Sequence, residues 1–368
     1  MSTSAKRGAK LYLPQNVLEA AQERIALLFD RFEFIVVSVS GGKDSTVLLD
    51  LCRKEALRRG RTLGTFFLDQ EAEYQSSIDQ VRHVMQLPGV VPYWYQVPLH
   101  MTNAASLHVD FLYAWGPGES WMRDKDPLAI QAIDEDYPQR FYPFFGWFEK
   151  RWPKGTTCSV VGLRAEESLN RFRTMVKHPG LHHGDQALPW TSAGHTIKAY
   201  PLYDWTFEDV WHYIAEQGLQ YNRVYDFMHL HGHRIQDVRV SYLGHEHSFK
   251  CLPDLHEFEP ETYRKLLERM PGIHVAARYA NESMIYQAKK LPSGFNSWRA
   301  YRDFLLETSP SQHVERFRAR IEKQGNDDEE ICRQQCRQLL INDWEQNVAI
   351  IKPKHKKEDV LAKWKEIL

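Results

Sequence analysis

The stretch Phe34-Ile35-Val36-Val37-Ser38-Val39-Ser40-Gly41-Gly42-Lys43-Asp44-Ser45 decides the fold. Its first half is a short β-branched run, which reads as a buried parallel strand. Two adjacent glycines break that run, and 45–58 then reads as a helix with Val47, Leu48, Leu51 and Ala56 toward one side. A strand, a glycine loop and a helix in direct succession make an anion-binding device. Paired glycines take backbone angles that other residues resist, and they let a ligand come close. Successive N–H groups can converge on one concavity. The helix N-terminus adds unpaired N–H groups and positive dipole. Phosphate or pyrophosphate fits such a cup. Lys43 adds a mobile cation, and Ser40 and Ser45 add hydroxyl donors. Asp44 is expected to hold Mg²⁺ or cap the helix rather than touch phosphate. The pattern Gly-x-x-x-x-Gly-Lys-Ser/Thr is absent, so this is not the phosphate loop of kinases and GTPases.

Working outward, a helix is expected over 16–32, where Val17, Ala20, Ala21, Ile25, Leu28 and Phe29 recur at helical spacing. A second strand is expected at 65–68, a helix at 76–87, a third strand at 90–97 and a fourth at 158–161. Strands alternating with helices predict an α/β fold: a doubly wound, mostly parallel sheet covered on both faces. Residues 98–154 break the rhythm with Trp, Tyr, Phe, Pro and Asp, and read as an insertion or lid ending in a helix over 139–152. A hairpin is expected around Ala193-Gly194, with helices at 206–216 and 222–230. Beyond about residue 255 the pattern is helical, at 260–270, 276–289, 296–308, 310–324, 327–342 and 358–367. The expected organisation is a basic arm at 1–14, a nucleotide-binding domain at 15–255 and a helical C-terminal region at 256–368.

Composition bounds the partners. The 368 residues carry a net charge of -1, so no strong global attraction to nucleic acid is expected. Lys352, Lys354, His355, Lys356 and Lys357 read as a solvated tail. The five cysteines, Cys52, Cys158, Cys251, Cys332 and Cys336, are scattered and odd in number, unlike a secreted disulfide framework. No apolar run suits a secretory signal or a membrane span, and a cytoplasmic protein is expected.

Three further segments follow expected strand ends or open a helix. Asp69 closes the second strand, where ligands of open α/β sheets bind; it suits a metal, a ribose hydroxyl or an adenine amino group. Glu71 and Glu73 follow, equally suited to a site or to solvent. Gly162-Leu163-Arg164-Ala165-Glu166-Glu167-Ser168 closes the fourth strand. Arg164 can grip phosphate or sulfate with its planar fork, and Glu166 or Glu167 can orient it. Pro201 to Trp211 contains Thr206 and Asp209 as an acidic capping box, with Trp205, Val210 and Trp211 as packing.

Together the Ser40–Ser45 loop, the Asp69 segment, the Gly162–Ser168 segment and the Pro201–Trp211 segment resemble the phosphoadenosine phosphosulfate reductase family of the adenine-nucleotide α-hydrolase (PP-loop) superfamily. The resemblance covers roughly residues 15–250. The stretches Cys251-Leu252-Pro253, Glu259-Pro260-Glu261-Thr262 and Trp298-Arg299-Ala300-Tyr301 look like a branch that includes immunoglobulin-binding regulator A type proteins and reductase-like proteins of phages and plasmids. The resemblance implies a bound ATP or sulfonucleotide with Mg²⁺. Ser40, Gly41, Gly42, Lys43, Asp44, Ser45, Asp69, Gly162 and Arg164 would form the binding site, and Lys43, Asp44 and Arg164 would take part in chemistry. Superfamily members split ATP between the α- and β-phosphates and adenylate an acceptor.

The sequence departs from the reductases. Their Glu-Cys-Gly-Leu-His thiol context is absent, as are the Cys-Cys and Cys-x-x-Cys set of an iron–sulfur cluster, so neither sulfonucleotide reduction nor a cluster is expected. Cys332 and Cys336 share a helical face as packing residues. His229, His231, His233, His245 and His247 with Cys251 offer zinc-type donors, but their spacing matches no zinc template, and packing is the expectation. Three readings are open: an enzyme acting on ATP or a sulfonucleotide; a nucleotide-sensing subunit whose helical C-terminal region meets a protein partner; and a nucleic-acid-modifying component with a basic groove at Arg171, Arg173 and Lys177.

Overall fold

The computed structural model of the chain describes residues 14–106, 108–168, 171–172, 175, 179–235, 237–238, 240, 242–279, 288–324 and 328–351. The expected arm at 1–14, except for Pro14, the basic cluster at 352–357 and the helix at 358–367 lie outside the described residues, as do Arg173 and Lys177.

The chain forms two compact units. The first comprises residues 1–69, 75–97 and 125–240, and the second 70–74, 98–124 and 241–368.

The first unit is built on a six-stranded sheet. Its strands are β1 (Phe34–Ser38), β2 (Leu63–Leu68), β3 (Val90–Tyr95), β6 (Thr157–Val161), β9 (Thr191–Ser192) and β10 (Ile197–Ala199), in the order β3-β2-β1-β6-β10-β9. The pairs β1–β2, β1–β6, β2–β3 and β6–β10 are parallel, and only β9 runs antiparallel, against β10. Chain order therefore reverses between β1 and β6, with β2 and β3 on one side and β10 on the other. The C-terminal ends of the two central strands part there, and that crevice is where open α/β sheets take ligands.

Alternation along β2 shows how both faces are covered. Phe67 joins a core with Leu28 of the helix Val17–Arg31, Leu48 of Lys43–Arg58, Val81 of Gln75–Met85 and Val210 of Phe207–Gln217. Phe66 points to the opposite face. It meets Phe148 of the helix Phe141–Glu149 at 4.2 Å between ring centroids, and Phe145 at 5.3 Å. Each buried ring of this kind contributes about 1.5–3 kcal/mol by leaving water. The aromatic richness of 141–152 is thus the second cover of the sheet.

Local signals fix the helix starts. Asn16 caps Val17–Arg31 by accepting from Glu19 N–H at 2.9 Å, with a reciprocal bond from Asn16 N–H to Glu19. Thr206 and Asp209 form the expected capping box. The expected hairpin at Ala193-Gly194 is the β9–β10 turn, and β10 extends the parallel sheet as a fifth strand.

In the second unit β4 (Leu99–Thr102) and β5 (Phe111–Ala114) form an antiparallel hairpin. Residues 98–154 are therefore not one insertion. The first part of them is tied into the second unit: Ala104 N–H donates to Gly244 O at 3.0 Å, and Asn342 Nδ2 donates to Asn103 O at 2.7 Å. β7 (His182–His183) and β8 (Gln186–Ala187) form a small ribbon in the first unit. The C-terminal region is helical, with Leu252–Phe258, Pro260–Arg269, Ile273–Arg278, Trp298–Thr308, Val314–Gln324 and Glu329–Leu340. Leu306, Phe317, Leu339 and Trp344 form its small core. No helix among the described residues is long and apolar enough to cross a membrane.

Candidate functional site

The loop 39–42 leaves β1 and enters the helix Lys43–Arg58 with Gly42 as a cap that lacks a side chain. Gly41 sits at φ +67, and a Cβ there would fall 2.6 Å from the backbone oxygen of Ser77. Both the angle and the contact require glycine. The turn is closed by Ser45 Oγ and Thr46 Oγ1, which donate to Gly42 O at 3.0 and 2.9 Å, and by Ser40 N–H, which donates to Ser45 Oγ at 3.3 Å. Lys43 N–H donates to the hydroxyl oxygen of Tyr225 at 3.3 Å. Among the described residues, none accepts a hydrogen bond from the N–H groups of Gly41, Gly42, Asp44 or Ser45. Unsatisfied donors at the start of a helix are the groups that hold an anion.

The opposite wall comes from β6. Gly162 lies so close that a Cβ would be 3.1 Å from the backbone of Asp44 and Ser45. Two residues on, Arg164 is buried and its Nε donates to Asp44 Oδ1. Lys43, also buried, donates through Nζ to Asp44 Oδ2 at 2.8 Å. Burial opposes charge on Asp44, but Lys43 and Arg164 outweigh it and hold its carboxyl below the usual range. Arg164 Nη1 also meets Glu166 Oε2 at 3.2 Å, while Glu167 accepts from Arg164 N–H and pairs with Arg171.

These contacts decide which group the site suits. Two cations flank one carboxylate, beside N–H groups from which no described residue accepts, so the donor set fits a polyanion. Both oxygens of Asp44 are taken by cations, which does not fit a Mg²⁺ ligand in this arrangement. Asp44 bridges Lys43 Nζ and Arg164 Nε.

Asp69 ends β2 fully buried, and its Oδ2 accepts from Trp94 Nε1 at 3.0 Å and Gln96 Nε2 at 2.9 Å. Glu71 and Glu73 are buried as well, in the second unit. Glu71 accepts from the N–H groups of Trp115 and Met122 at 2.9 and 3.1 Å and from Arg269 Nε at 2.7 Å, which makes it a packing anchor. Trp205 is buried with Nε1 donating to Val17 O at 3.0 Å.

Two contributors carry no sequence motif. Asn222 Nδ2 donates to Gly41 O at 3.1 Å and Ser77 Oγ at 2.9 Å, bracing the glycine turn. Tyr225 receives Lys43 N–H, and its ring lies 5.3 Å from Lys43 Nζ, as does that of Phe207. Burial, reinforced by the Asp44 charge, pushes the Tyr225 phenol up, so it stays protonated. A polar residue opening the expected helix at 222 was the only available signal.

All five cysteines are buried and unpaired with one another. Burial pushes the Cys52, Cys158 and Cys336 thiols up, the last to about 12, away from a nucleophilic thiolate. Of the histidines, His229, His231 and His233 lie in the first unit, whereas His245 and His247 lie in the second.

Comparison with known proteins finds similarity in two parts of the chain. The family described as phosphoadenosine phosphosulfate reductase domain matches residues 149–231, and a domain of unknown function, DUF3440, matches 232–326. The chain is 29% identical over 328 residues to the uncharacterized protein YbdN of Escherichia coli (strain K12), covering 85% of this chain and 80% of that one. It is 25% identical over 193 residues to the adenosine 5'-phosphosulfate reductase of Oceanobacillus iheyensis, covering 52% of this chain and 66% of the reductase. Among solved structures, the phosphoadenylyl-sulfate reductase of Candida auris in its phosphate complex aligns with a TM-score of 0.35 at 19% identity, covering 60% of this chain and 94% of that one. The chain is thus similar over residues 149–231 to phosphoadenosine phosphosulfate reductase domains, and over most of its length to YbdN.

Proposed function

We propose that this protein binds ATP or a sulfonucleotide with its phosphates on the Ser40–Ser45 loop, and that it splits ATP at the α-phosphate to give an adenylated acceptor and pyrophosphate. The observation that carries the reading is the set of N–H groups at Gly41, Gly42, Asp44 and Ser45 from which no described residue accepts, placed beside buried Lys43 at the switch point of the sheet. Donors already oriented toward the departing pyrophosphate stabilise charge as it develops, without reorganisation at the moment of reaction. Lys43 supplies the mobile cation. Arg164, aimed by Asp44 and Glu166, grips the distal phosphate or sulfate in this reading. An oxygen of the acceptor attacks the α-phosphorus, the α–β bridging bond breaks, and its electron pair leaves with pyrophosphate.

The sequence similarity to an adenosine 5'-phosphosulfate reductase supports a sulfonucleotide as the alternative ligand. Reduction of that ligand lacks support, because the cysteines are buried and the reductase thiol context is missing.

The test is pyrophosphate release from ATP with a panel of oxyanion and nucleic-acid acceptors, run beside equilibrium ATP binding. Release that vanishes in Lys43→Ala is expected. ATP binding with no release under any acceptor would instead establish a nucleotide sensor. Neither binding nor release would end the proposal.

A further inference from the structure

The turn that opens the C-terminal unit carries a donor cluster with no part in the nucleotide site. His245, Glu246 and His247 each present one ligand atom, and the three atoms lie within 4.8 Å of one another. Glu246 is the buried member, with a side chain 6% exposed. The two imidazole rings stack at 4.7 Å between centroids. The turn itself is fixed by its backbone. His245 N–H donates to Tyr242 O at 3.2 Å, Ser248 N–H to His245 O at 2.9 Å, and Ser248 Oγ to Tyr242 O at 2.8 Å.

The two oxygens of Glu246 differ. Oε1 faces Arg337 Nη2 at 3.2 Å. Oε2 is buried and lies 2.8 Å from Nδ1 of His245, an ion-pair distance. The N–H of His247 donates to Nδ1 of His245 at 3.3 Å, a long bond that a metal ion on that nitrogen would replace. A proton on the imidazole, or a cation held by both groups, makes the 2.8 Å approach of Nδ1 to Oε2 favourable.

We propose that His245, Glu246 and His247 bind a divalent transition-metal ion of the zinc class, with water in the remaining position. Two imidazoles and one carboxylate suit Zn²⁺, whereas Mg²⁺ and Ca²⁺ take oxygen ligands. Ligand bonds of about 2.0–2.2 Å place the donors of a tetrahedral site about 3.4 Å apart, so a swing of about 1 Å by the exposed His247 ring closes the set. Arg337 becomes the outer partner that orients the ligating carboxylate. Cys251 is not part of the group. The proposal is independent of the nucleotide reading.

The full-length protein, stripped with chelator and dialysed, is titrated with Co²⁺ and with Zn²⁺ against a chromophoric chelator. The expected result is one equivalent bound, with the intense visible bands of low-coordinate Co²⁺ that Zn²⁺ displaces. His247→Ala and Glu246→Gln should each weaken binding by at least about tenfold, at the low end of what lost ligand-shell contacts cost. His247 is exposed, so its variant keeps the test readable if Glu246→Gln does not fold. No stoichiometric binding would overturn the proposal, and so would one equivalent bound with unchanged affinity in both His245→Ala and His247→Ala.

Discussion

Arg164 donates through Nε to Asp44 Oδ1, and this bond joins the segment after β6 to the first turn of the helix Lys43–Arg58 across the point where strand order reverses. Asp44 stands between two buried cations, so its neutralisation takes the ion partner from Lys43 and leaves Arg164 to Glu166. Removing one partner of a buried pair costs about 3–5 kcal/mol, and Asp44→Asn should lower stability by that order. The sign of the pH dependence follows from the depressed pKa. The folded value lies below the ordinary 3.8, so the contribution is complete above that value and fades as pH falls through the folded one. Urea midpoints measured from pH 7 down to pH 3 should therefore fall more steeply for wild type than for Asp44→Asn. Parallel curves would contradict this.

Lys43→Ala removes the mobile cation but leaves the loop backbone in place. ATP affinity should drop by about tenfold or more, since a charge-assisted hydrogen bond contributes about 1.5–3 kcal/mol. Pyrophosphate release should fall further, because the charge matters most as the leaving group departs. Calorimetry for binding and a coupled pyrophosphate assay for turnover separate the two effects.

Gly41→Ala tests the turn itself. The new Cβ would stand 2.6 Å from Ser77 O at a φ of +67, so the loop or the helix Gln75–Met85 must shift. A cost of about 1–3 kcal/mol in stability is expected from such strain, together with loss of nucleotide binding. Gly162→Ala meets the loop at 3.1 Å and should show the same pattern more mildly. Thermal melts with and without ATP give both readouts.

Asn222→Ala removes the brace between Gly41 O and Ser77 Oγ. Leaving a buried polar partner unsatisfied costs about 1–3 kcal/mol. The variant should lose stability by that order and nucleotide affinity with it, although Asn222 touches no ligand in this account. Unchanged affinity in a destabilised protein would show that the brace does not set the loop geometry.

The sheet was legible because its signals are local. The run 34–39, the glycine pair and the helix that follows announce one another, and strands β2, β3 and β6 lie within a residue or two of their expected ends. Tertiary grouping was less so. The hairpin β4–β5 carries no Gly turn between short strands, and its place in the second unit depends on partners at Gly244 and Asn342, more than 100 residues away in sequence. At the site, Lys43, Asp44 and Arg164 were readable from their positions after strand ends. Asn222 and Tyr225 were not, because their roles come from folding a distant helix start against the glycine turn. Glu71 follows a strand end too, yet its carboxylate is spent on Trp115, Met122 and Arg269.

The most direct measurement is amide NMR of the isotopically labelled protein titrated with inorganic pyrophosphate and then with ATP. The amide signals of Gly41, Gly42, Asp44 and Ser45 should move first and furthest, and Lys43→Ala should shift the titration to higher ligand concentration. Stationary signals for those four residues at saturating ATP would contradict the account.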